Sequence, residues 1–194
     1  MHRFYRIVLY TALALGANTS LAADAALEAL RVGDMKKLNL HSDAKAIPDV
    51  VFFAEDGSEI TLTDYQGKTL LVNFWATWCA PCRKEMPALA ALQDEFGGED
   101  FQVVTIATGR NPAPAMKKFF DQIGVTNLPL HRDPKQALAR KMSVLGLPVT
   151  VVVTPEGQEI GRLMGDADWH SDEARAMVAA LLERARLKPE NDPQ

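Results

Sequence analysis

Residues 69–87 read TLLVNFWATWCAPCRKEMP. Thr69 to Trp75 is an almost unbroken apolar run containing Val72, Phe74 and Trp75, the pattern of a central strand buried on both faces. From Ala80 the pattern changes: Met86, Leu89, Ala90, Leu92 and Phe96 recur near a helical period, predicting a helix from about Ala80 to Phe96 that Gly97-Gly98 stops. Pro87 lies inside that helix, and its missing backbone donor predicts a kink between the first turn and the stretch that packs. At the junction of strand and helix stand Cys79-Ala80-Pro81-Cys82, which contain the only two cysteines of the chain.

Three residues of helix rise about 4.5 Å, which places the two Cα atoms inside the roughly 4.4–6.8 Å that a disulfide requires. Closing so short a loop removes little entropy from the unfolded chain, so the pair is a weak staple and is better explained by reactivity. Cys79 precedes a helix whose unpaired N–H groups and dipole favour negative charge, and it is the expected attacking thiolate. A thiol with a pKa near 8.5 is about 3% ionised at pH 7, whereas a fall to about 7 makes it half ionised, a difference of about 2 kcal/mol. Cys82, one turn inside the helix, is the expected resolving thiol that attacks the mixed disulfide, with Pro81 keeping the turn rigid.

The same pair has other readings. Half of a zinc site needs further ligands, but His41, His131 and His170 are not paired at ligand spacing. An inert disulfide runs against the entropy argument. A copper-binding protein using both cysteines and His131 stands as the alternative from another functional class.

Working outward, Val50 to Phe53 and Ile60 to Leu62 flank the turn signal Asp56-Gly57 and predict an edge hairpin. Phe101 to Ala107 reads as a second central strand and Ala113 to Ile123 as a helix ending at Gly124. Asn127 to Arg132 reads as a short strand, Pro134 to Met142 as a short helix, and Val149 to Val153 as a β-branched strand. Pro155-Glu156-Gly157 turns the chain back into Glu159 to Met164, and Asp172 to Leu187 closes it as a helix. Alternating strands and helices that end in an antiparallel hairpin predict an α/β fold with a mixed sheet flanked by helices.

The chain is 47% hydrophobic and 24% charged, the balance of an ordinary globular protein, and its 21 basic and 25 acidic residues include no basic stripe for a row of phosphates, which excludes nucleic acid as a partner. Arg3 and Arg6 precede the uncharged, mostly apolar run Ile7 to Ala17, which is shorter than the roughly 20 residues that span a hydrocarbon core. Residues 1–22 are therefore expected to be an export signal cleaved after Ala22, with an uncleaved membrane anchor as the alternative. Residues 23–47 read as an N-terminal arm that begins helically at Ala25 to Leu30, residues 48–187 as one domain, and residues 188–194 as a frayed, disordered tail.

Asn73 to Pro87 resembles the active-site segment of the thioredoxin superfamily, specifically its exported TlpA/ResA-like branch, with TlpA-like proteins the nearest in pattern. The resemblance extends through Gly146-Leu147-Pro148, similar to the loop that carries the family's cis-proline, and through Gly165 to Trp169, covering roughly Pro48 to Leu187. It implies a thioredoxin fold with an N-terminal hairpin extension. It also implies that Cys79 is the nucleophile, that Cys82 resolves, and that Leu147 and Pro148, with Trp78 and Pro81 beside the cysteines, meet an extended partner peptide. A cis bond before proline costs little, whereas before any other residue it costs several kcal/mol, which accounts for Pro148 in so tight a loop. Glu85 resembles the acidic residue that this branch keeps near its cysteines and is a third candidate catalytic residue, a proton carrier for Cys82. Asn73 stands where cytoplasmic thioredoxins have a buried aspartate, and Val149 where a threonine is often found.

The function implied is that of a periplasmic thiol-disulfide oxidoreductase needing no cofactor. It would reduce cysteine-containing partners, such as apocytochrome c or copper-oxidase assembly proteins, and would be re-reduced by a membrane thiol carrier.

Overall fold

The computed structural model describes residues 23–187, so the readings of the export segment and the tail fall outside the described residues. Among the described residues no helix is long and apolar enough to cross a membrane.

A helix at residues 23–29 (α1) leads through a 3-10 turn, Gly33–Lys37, into strand β1, Leu38–Ala46. The hairpin β2 (Phe52–Phe53) and β3 (Glu59–Ile60) follows, then β4 (Thr69–Trp75), α2 (Ala80–Phe96), β5 (Phe101–Thr108) and α3 (Ala113–Ile123). The chain ends in β6 (His131–Asp133), α4 (Ala137–Lys141), β7 (Val149–Val153), β8 (Gln158–Met164) and α5 (Asp172–Leu187). The eight strands form one sheet in the order β1-β8-β7-β4-β5-β6-β2-β3, with β4, β5 and β6 mutually parallel and the other pairings antiparallel.

Strand β4 is buried along its whole length because its side chains alternate between two cores. Leu71 and Trp75 face the layer built from α2, α3 and α5, where Met86, Phe120 and Leu181 are buried. Leu70, Val72 and Phe74 face a second layer with Phe52, Leu138 and Met142. An apolar run with no polar alternation is the signature of that two-sided burial.

The mixed sheet, the edge hairpin and the helix after the cysteines are as expected, but three details differ. Residues 38–46, read as part of an arm, pair antiparallel with β8 and extend the sheet by a strand. Their far half is exposed at the sheet edge, so no apolar alternation marks it. Strand β6 is confined to His131–Asp133, and Leu62 lies in a 3-10 turn that Thr61 and Asp64 close with a capping box, not in the hairpin. Helix α2 runs as one element from Ala80 to Phe96 with Pro87 inside it.

Candidate active site

Strand β4 ends at Trp75, and a short loop delivers Cys79 to the N-cap of α2 with extended backbone angles (φ −89°, ψ 104°). Ala80 and Pro81 occupy the first helical positions, where a missing N–H leaves no helical bond unmade. The Cys82 backbone N–H donates to Cys79 Sγ over 3.3 Å, the contact that stabilises a negative charge on that sulfur. In this structure the sulfurs are bonded to each other, with the Cα atoms 5.3 Å apart. Cys79 keeps 6% of its surface and Cys82 none, so of the pair only Cys79 has any contact with solvent. The loop is fastened from the other side, where Thr77 donates to Asn111 Oδ1 through both its backbone N–H (2.8 Å) and its hydroxyl (3.0 Å). Asn111 was not apparent from the sequence, since its partner lies 34 positions away.

Glu85, one turn beyond Cys82, is 2% exposed. Its Oε1 accepts from Asn73 Nδ2 at 2.8 Å, and its Oε2 accepts from the Ala167 N–H at 3.3 Å and from the Trp169 indole N–H at 3.1 Å. Asn73 also donates to Thr150 Oγ1 across the strand pair at 2.9 Å. Burial pushes the Glu85 pKa up to about 7, against the three donors, which favour the ionised form. A carboxyl group titrating there can take up and release a proton near neutrality. The roles of Asn73 and Trp169 as donors were missed in the sequence. A buried tryptophan and a buried asparagine each seek a polar partner, but nothing in the local pattern says which.

Register places the remaining predicted residues. Phe74 of β4 lies opposite Val149 of β7, which lies opposite Met164 of β8, and the Gly165 N–H donates to Pro148 O at 2.9 Å. Pro148 is therefore brought beside the end of β4, and its bond to Leu147 is cis. Pro148 is buried and Leu147 half-buried, while Pro81 is exposed. Trp78 is 67% exposed, Leu145 98% and Met164 69%, so three large apolar side chains, one from each segment at this end of the sheet, face solvent. Leu145 and Met164 were not singled out from the sequence, because only exposure sets them apart from core residues.

His131 is not brought to the cysteines. Its ring packs on Phe52 and Tyr65 in the second layer, whereas both cysteines lie in the first, and its Nε2 pairs with the Tyr65 hydroxyl at 2.5 Å. Burial lowers its pKa to about 4. Among the described residues no group of three or more His, Cys, Asp or Glu is placed to hold a metal ion.

Comparison with known proteins agrees with this geometry. The model of the AhpC/TSA family matches residues 44–158. The thiol-disulfide oxidoreductase ResA of Bacillus subtilis is 32% identical over 124 residues, which are 64% of this chain and 68% of that protein. Among solved structures, a thiol:disulfide interchange protein of the thioredoxin family from Chlorobium tepidum superposes with a TM-score of 0.60 at 26% identity, over 73% of this chain and 99% of that one. An exposed lipoprotein thioredoxin from Streptococcus pneumoniae gives 0.57 at 26% identity, over 70% and 99%. The fold is that of thioredoxin.

Proposed function

Since the chain belongs to the AhpC/TSA family and is a thiol-disulfide oxidoreductase of the ResA type, we propose that it works outside the cytoplasm as a reductant of protein disulfides. The observation that carries this reading is the Cys79–Cys82 disulfide at the head of α2, in which Cys79 retains slight exposure and Cys82 has none.

In the reduced protein the Cys79 thiolate attacks one sulfur of the partner's disulfide, forming a mixed disulfide and releasing the other partner sulfur as a thiolate. Cys82 then gives its proton to Glu85 and attacks the Cys79 sulfur. The partner leaves with both cysteines reduced, and the chain is left as the disulfide described above. A membrane thiol carrier returns the two electrons, and partners of this class include proteins of cytochrome c maturation and copper-oxidase assembly. The Leu147-Pro148 loop offers its backbone to the partner segment, an edge-pairing mode used widely in peptide recognition.

Trp78 and Pro81, with Leu145 and Met164, favour partners whose cysteine is flanked by apolar side chains. Half-burying a side chain such as Leu145 against such a flank contributes about 1 kcal/mol. The double variant Leu145→Ser/Met164→Ser is expected to raise KM for an apolar-flanked disulfide peptide by about tenfold with kcat unchanged. An equal change for a peptide with acidic flanks would remove this preference.

Direction is tested by equilibrating the Cys79–Cys82 pair with glutathione buffers. A reductant is expected to settle near thioredoxin's potential of about −270 mV, while a value near about −120 mV would make the protein an oxidant and overturn the reading.

A further inference from the structure

The family match begins at residue 44 and ends at residue 158, yet two of the three donors to Glu85, Ala167 and Trp169, lie beyond it. These two belong to the loop that follows β8, in which alternate residues face opposite ways. Ala167 and Trp169 are buried against the Glu85 carboxylate, while the peptide groups on either side of Ala167 are tied to the 3-10 turn Gly33–Lys37. Asp34 Oδ2 accepts from the Asp168 N–H at 3.0 Å, Lys37 Nζ donates to Asp166 O at 2.9 Å, and Asp34 and Lys37 pair with each other at 2.9 Å. The turn is itself rooted, because Met35 and, just after it, Leu38 are sealed in the core.

We propose that Asp34 and Lys37 are positioning residues for Glu85: by fastening peptide units 166 and 168 they hold the Ala167 N–H and the Trp169 indole on its carboxylate. The segment ahead of the matched region thereby decides how many hydrogen bonds the buried acid receives without touching it. The catalytic consequence rests on the reading of Glu85 as proton carrier, whereas the positioning does not.

The groups facing Glu85 make the test decisive. Cys82 precedes it on α2, the uncharged Asn73 of β4 donates to it while also donating to Thr150 of β7, Asp166 adds negative charge from the loop, and Lys37 lies within electrostatic reach. On its own helix, Lys84 pairs with Asp166 at 3.5 Å and Arg83 stacks over Phe119 at 4.5 Å. Asp34→Ala removes a negative charge, so electrostatics alone would lower the Glu85 midpoint. Release of the loop withdraws donors from the carboxylate and raises it.

The Glu85 side-chain carboxyl is titrated by 13C NMR in the oxidised full chain, where neither cysteine titrates. From a wild-type midpoint of about 7, Trp169→Phe is expected to move it up by about one pH unit and Asp34→Ala by about half a unit. Asp34→Asn, which keeps an oxygen for the Asp168 N–H but not the charge, should bring the midpoint back to the wild-type value or slightly below it. A midpoint in Asp34→Ala that is unchanged or lower overturns the proposal. If the midpoints move as expected while the pH dependence of disulfide exchange does not follow, the positioning stands and the proton-carrier reading of Glu85 fails.

Discussion

Cys79→Ser is expected to abolish turnover, lowering the rate of disulfide reduction at least about 10³-fold, whereas Cys82→Ser is expected to carry out the first attack and stop at a stable mixed disulfide. The asymmetry follows from the head of α2. Cys79 sits at the N-cap with its sulfur receiving the Cys82 N–H at 3.3 Å, so a negative charge there is favoured by the helix terminus. Cys82 has no exposed surface and no route to a partner's sulfur except through Cys79. A hydroxyl at position 79 is a far weaker nucleophile than a thiolate and cannot be re-reduced, so no second route to product remains. A hydroxyl at position 82 leaves the attacking group intact and removes only resolution. Mass spectrometry of each variant after incubation with a disulfide-bonded peptide checks both halves. A stoichiometric adduct is expected on Cys82→Ser and none on Cys79→Ser; adduct on both would mean that the second sulfur also reaches the partner.

Glu85→Gln has the second large effect, and it separates into a rate and a stability. With its pKa pushed up to about 7 by burial, Glu85 holds a proton in the folded protein across a window where the unfolded chain, with an ordinary value of 4.5, has released it. Folding therefore takes up a proton. The associated stability is fully present below about pH 4.5, declines through the window, and is lost once the pH has risen through about 7. The full difference is on the order of 3 kcal/mol. Urea unfolding of the oxidised protein should thus show lower stability at pH 8.5 than at pH 5, and Glu85→Gln, which cannot ionise, should flatten that slope. An unaltered slope in the variant would place its origin elsewhere. For catalysis, on the proposed role of Glu85 as acceptor of the Cys82 proton, the variant is expected to slow resolution about 10²-fold, seen as accumulation of the mixed disulfide in rapid-mixing experiments.

The parts of the protein that were legible in advance are those whose signal is local. Strand β4 and helix α2 announced themselves because two-sided burial demands an unbroken apolar run and one-sided burial a helical period, and each demand acts on adjacent residues. The cysteine pair was legible for the same reason, since a separation of three residues sets its geometry whatever surrounds it. Strand β1 escaped detection because an edge strand exposed over residues 42–46 has no apolar face to display, and its pairing with β8 depends on residues more than a hundred positions later.

By itself, then, the order of residues determined the α/β fold, the reactive pair and which of its sulfurs comes first on the helix, all consequences of spacing along one strand and one helix. Only the tertiary structure decided that Glu85 is buried and held by Asn73, Ala167 and Trp169, that the turn at Asp34 and Lys37 fastens the loop supplying two of those donors, and that Leu145 and Met164, like Trp78, stand exposed. The reason is physical. A carboxyl group's proton affinity and a side chain's exposure depend on what the folded sheet brings alongside, and the Glu85–Trp169 bond joins residues 84 positions apart.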